Sequence, residues 1–73
     1  MTEEITTTIQ EVERNLLSIN QRKLKADQAE MFQTVQSFLS QAREAIGNKD
    51  FQQAMNLTQK ARVLSDELST SVH

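Results

Sequence analysis

Asn20-Gln21-Arg22-Lys23-Leu24-Lys25-Ala26-Asp27-Gln28 decides the fold, because it joins two apolar stripes that do not share a register. Before it run Ile5, Ile9, Val12, Leu16 and Ile19, spaced alternately by four and three residues, the seam of an amphipathic helix. After it come Met31, Val35, Phe38, Ala42 and Ala45, flanked by Phe32, Leu39 and Ile46, a face wide enough for more than one neighbour. Continued by heptads, the first seam lands on Lys23, Ala26, Glu30 and Gln33 and misses the second face. The apolar face therefore rotates between the two segments, which a strict left-handed coiled coil would not allow.

Two architectures satisfy this pattern. In the first, a single long helix spans about 2–46, since Gln21 to Phe32 contains only helix-compatible residues and neither Gly nor Pro. Such a helix is about 65–70 Å long. It leaves the N-terminal amphipathic segment, residues 2–20, beyond the reach of the returning helix. In the second, the chain breaks near Ser18–Asn20 or Ala26–Asp27 and folds as a compact three-helix bundle. The first is the expected fold: an all-α antiparallel helical hairpin, its apolar seam covered by oligomerisation, with the bundle as its alternative.

The other boundary lies at Gly47-Asn48-Lys49-Asp50. Gly47 suits the left-handed position that closes a helix, and Asp50 with Gln53 suits a capping box that opens the next. The tight connection makes the hairpin segments 28–46 and 51–68 antiparallel. The last helix carries Ala54, Leu57, Ala61, Leu64 and Leu68 on one stripe, with Val63 on the far side and exposed. Residues 69–73 have no period and are expected to fray. Thr8 with Glu11 forms another candidate capping box. The hairpin core is expected to centre on Phe38, Ala42, Ala54, Leu57, Ala61 and Leu64.

Seventy-three residues make one domain, 1–73. A core of that size rarely supplies more than about 3–5 kcal/mol without a staple. There is no Cys and a single His, so disulfides and thiolate or imidazole metal cages are excluded. Association with another chain is the staple that is left. Apolar residues are 37% and charged residues 25%, too apolar and too periodic for disorder. A net charge of −2 attracts neither nucleic acid nor an acidic membrane as a whole. No apolar run approaches the roughly 18 residues of a membrane span. Met1-Thr2-Glu3-Glu4 is acidic where a signal peptide is basic, so a cytoplasmic location is expected.

Around the turn, Ala45-Ile46-Gly47-Asn48-Lys49-Asp50-Phe51-Gln52-Gln53-Ala54 followed by Lys60-Ala61 resembles a tetratricopeptide-type helical hairpin. Asp50, Phe51, Ala54 and Ala61 match its turn and small-residue places, and Phe38 and Ala42 match the preceding helix. The resemblance covers about residues 38–66, with Asp66 where the family commonly has Pro. It implies hairpin geometry. It does not imply a concave peptide groove, which needs about three or more stacked units.

The residues capable of chemistry point away from catalysis. The carboxylate pairs Glu3/Glu4, Glu11/Glu13 and Asp66/Glu67 fall on polar helix faces or ends, without the shielding that splits two pKa values. His73 stands in the tail, a poor general base. Arg22, Lys23 and Lys25 form the one basic cluster, short of a nucleic-acid tract and with no aromatic residue to stack a base. They are the weak candidate patch for an anionic partner. The expected function is therefore a non-enzymatic protein–protein interaction or oligomerisation module, alone or within a larger protein, with no cofactor and no metal. Its expected surface is Ile5, Ile9, Val12, Leu16 and Ile19, and its expected partner a second copy in a homodimer or another helical protein. The alternatives are a small monomeric regulator or adaptor that captures a partner helix and, more weakly, a nucleic-acid-associated protein.

Overall fold

The computed structural model describes residues 2–72; Met1 and His73, the candidate general base, lie outside the described residues. The described chain is all-α, with three helices: α1 (Thr2–Leu17), α2 (Ala26–Gly47) and α3 (Phe51–Val72). A single 3-10 turn, Gln21–Lys23, lies between the first two.

The expected continuous helix over 2–46 is thus broken at residues 18–25, and the longest extent of the fold is 37 Å, about half what that helix would need. Part of the cause is local. Ser18 Oγ donates to the Asn15 carbonyl at 2.7 Å, and the Ile19 N–H reaches back only three residues, to Leu16, tightening the last turn. Asn20 Oδ1 then accepts from the Arg22 N–H at 3.1 Å and sets the 3-10 turn. Lys25, at the N-cap of α2, has no acceptor atom in its side chain. That end is closed instead by the Gln28 side chain, accepting from the Lys25 N–H at 2.9 Å, and by Asp27 Oδ1, accepting from the Gln28 N–H at 3.0 Å. The rest of the cause is tertiary. At about 100° per residue, an unbroken helix would aim the α1 seam roughly a third of a turn away from the α2 face. The break lets both faces look into one core.

That core holds Ile5, Ile9, Val12, Leu16 and Ile19 of α1 and its connection, Phe32, Val35, Leu39, Ala42 and Ala45 of α2, and Ala54, Leu57, Ala61 and Leu68 of α3. Two seams on α3 share Ala54, Ala61 and Leu68. Leu57 and Leu64 extend one towards α2, and Thr58 and Ser65 extend the other towards α1. Thr58 and Ser65 are both buried. The Thr58 hydroxyl is satisfied by the Ala54 carbonyl at 2.7 Å, and Ser65 Oγ accepts from Asn15 Nδ2 of α1 at 2.6 Å. These small residues let α1 lie close along α3. Phe38 and Leu64, expected at the centre of the hairpin core, sit at its edge and are only half-buried. Gln28 Nε2 bonds the Ser71 hydroxyl at 3.1 Å, tying the start of α2 to the end of α3, which stays helical to Val72 rather than fraying from residue 69. Thr8 lies within α1 and donates to the Glu4 carbonyl at 2.9 Å, so it is not a cap.

The α2–α3 turn is tight, as the sequence predicts, but a different residue carries the left-handed backbone. Gly47 is helical, and Lys49 has φ 61°. The Asp50 N–H bonds the Ala45 carbonyl at 2.8 Å and the Lys49 N–H bonds the Ile46 carbonyl at 2.9 Å, which is the Schellman closure. Asp50 caps α3 through the Gln53 N–H at 3.3 Å. Its own N–H is already committed to Ala45, so the capping box forms in one direction only. Lys49→Gly is therefore expected to stabilise the fold by about 0.5–1 kcal/mol, since an L side chain is strained in this region. A Cβ on Gly47 would meet nothing within 4 Å, so Gly47→Ala is neutral to stabilising. Circular dichroism melts check both: about 2–8 °C higher for Lys49→Gly, and no loss for Gly47→Ala. A lower melting temperature for Lys49→Gly would mean that Lys49 is not the residue closing α2.

Candidate functional site

The surface expected to bind partners is spent inside the molecule. Ile5, Ile9, Val12, Leu16 and Ile19 are between 2% and 7% exposed, covered by α2 and α3 of the same chain. The expectation of an uncovered seam rested on the long first helix and is corrected with it. Where α1 passes beside α2, Arg43 pairs with Glu13 at the surface, an exposed contact worth at most about 1 kcal/mol.

Arg22, Lys23 and Lys25 are all exposed on the connection between α1 and α2. The nearest backbone donors are already served: the Arg22 N–H by Asn20, the Lys25 N–H by Gln28, and the Gln28 N–H by Asp27 at 3.0 Å. An anion arriving there would meet three solvated side chains and a helix start that caps itself. The carboxylate pairs remain at the surface, Glu13 half-buried against Arg43 and the others exposed. Among the described residues no group of three or more His, Cys, Asp or Glu side chains is placed to hold a metal ion, and no helix is long and apolar enough to cross a membrane.

The apolar surface that remains lies on the outer side of the α2–α3 pair. Phe38 of α2 and Val63 and Leu64 of α3 line an open groove with Asn56, Gln59 and Lys60. Val63 is 56% exposed, as its place on the far side of the stripe predicts. Leu17, at the end of α1, is 85% exposed and stands beside a hollow of mixed lining, in which Leu16, Ile19, Phe32 and Leu39 alternate with Glu13, Gln21, Gln36 and Arg43. A second groove, between α1 and α3, is lined by Glu11, Asn15, Arg62, Ser65, Asp66 and neighbours, and is polar throughout except for Val12.

Sequence reasoning placed Phe38 and Leu64 in the core and so missed this groove. The available signal was the second seam on α3: Ala54, Thr58, Ala61, Ser65 and Leu68 keep the same alternation of four and three as the apolar stripe. Thr and Ser do not read as apolar, so the wheel appeared centred on Leu57 and Leu64. With Thr58 and Ser65 counted as buried, α3 turns, and Leu64 moves to the rim with Val63 beyond it. Comparison of the chain with protein-family models, with curated proteins and with solved structures finds no match.

Proposed function

We propose that this chain is a small, non-enzymatic protein–protein interaction module, a three-helix unit that folds by itself and presents the outer face of α2 and α3 to a partner. The observation that carries the reading is the open, largely apolar groove over Phe38, Val63 and Leu64. Every other wide apolar face is turned inward. Exposed apolar groups that cluster, rather than scatter, are the usual mark of a contact surface. Burial of Ile5 to Ile19 within the chain removes the need for a dimer along that seam, and it favours an adaptor or regulator over an obligate oligomer.

Site-specific photo-crosslinking in cells tests this. A photoreactive residue in place of Val63 should yield discrete crosslinked species. The same residue in place of Thr7, on the solvated side of α1, should yield background only. Equal background at both positions would overturn the reading.

A further inference from the structure

We infer that the occupant of this face is a second copy of the chain, docked α3 against α3 in antiparallel, two-fold fashion about Val63 and Leu64. This rests on the reading of the face as a contact surface. Asn56, Lys60, Val63, Glu67 and Thr70 recur at helical spacing on the side of α3 opposite its buried residues, and all five are exposed. Within that stripe the charges are opposite in sign and evenly placed, Lys60 one turn before the Val63–Leu64 pair and Glu67 one turn after it. Among the described residues neither side chain makes an ion pair or hydrogen bond within the chain; the ion pair present is Arg43–Glu13.

A two-fold axis through the midpoint of Val63 and Leu64 sets Val63 against the partner's Leu64. The same axis sets Lys60 against the partner's Glu67 and Glu67 against the partner's Lys60. An isologous contact requires a patch that complements itself under such a rotation, and a parallel arrangement would instead oppose like charges. The patch is small, so the association belongs to the transient class, below about 1,200 Å² of total buried area.

The test is sedimentation equilibrium read by interference, because the chain has neither Trp nor Tyr, together with amide chemical shifts followed on dilution. The wild type should self-associate, with concentration-dependent shifts confined to Phe38 and to α3 between Asn56 and Thr70. Val63→Glu should abolish this. Lys60→Glu and Glu67→Lys each alter two symmetric pairs and should each weaken association about tenfold. The double variant should return to within about threefold of the wild type. All three positions are exposed, so circular dichroism should show every variant folded. A wild type that stays monomeric at millimolar concentration, or a double variant no stronger than the singles, would overturn the two-fold pairing. In that event, photo-crosslinks from Val63 to a different polypeptide would leave the interaction-module reading standing, and background crosslinking there would remove both.

Discussion

Ile9→Glu is expected to unfold the protein, not to dissociate an oligomer. Ile9 is 2% exposed in the middle of the α1 seam, with Ile5 and Val12 on either side and equally buried. Truncating such a side chain costs about 2–5 kcal/mol, and forcing a carboxylate into the vacated site adds several kcal/mol, since the basic group lining the neighbouring hollow, Arg43, is exposed and already paired with Glu13. A domain of this size commonly holds about 3–5 kcal/mol in all. The variant should therefore lose most of its helical circular dichroism at room temperature and its slowly exchanging amides throughout. A folded, helical variant with unchanged melting would place Ile9 at the surface and return the seam to the role of an intermolecular contact.

Leu68→Ala is expected to cost about 2–5 kcal/mol, among the largest effects of any truncation in the chain. Leu68 is fully buried and belongs to both seams of α3. One turn further on, the Gln28–Ser71 bonds hold the end of α3 against the start of α2. Leu17→Ala is the control: at 85% exposure it should change stability by no more than about 0.5 kcal/mol. Urea unfolding followed by circular dichroism measures both. If Leu68→Ala fell within the same half kcal/mol, α3 would end structurally near Ser65, and the last turns would be a frayed tail after all.

The sequence by itself determined the helical class, the turn at residues 47–50 and the membership of the α1 seam. Each of these is local: helix-forming composition without Pro, a four-residue run of turn formers, and apolar residues at helical spacing. It also put Val63 outside, since Val63 lies on the far side of its helix from the stripe of Ala54, Leu57, Ala61 and Leu68. Composition left the chain between Gln21 and Phe32 free to be helix. The helix nevertheless breaks over residues 18–25, where the local bonds of Ser18 and Asn20 permit it and where the tertiary structure favours it by bringing two faces, a third of a turn apart, into one core. The same holds for the turn, where Lys49 and not Gly47 takes the left-handed backbone: α2 runs on through Gly47, and the chain reverses two residues later to seat Asp50 on Ala45. It holds again for Thr58 and Ser65, polar by type yet buried because α1 lies on them. Periodicity states that a helix has a face to cover. What covers it depends on where the chain returns, and that return sealed the α1 seam within the molecule and left Phe38, Val63 and Leu64 at its surface.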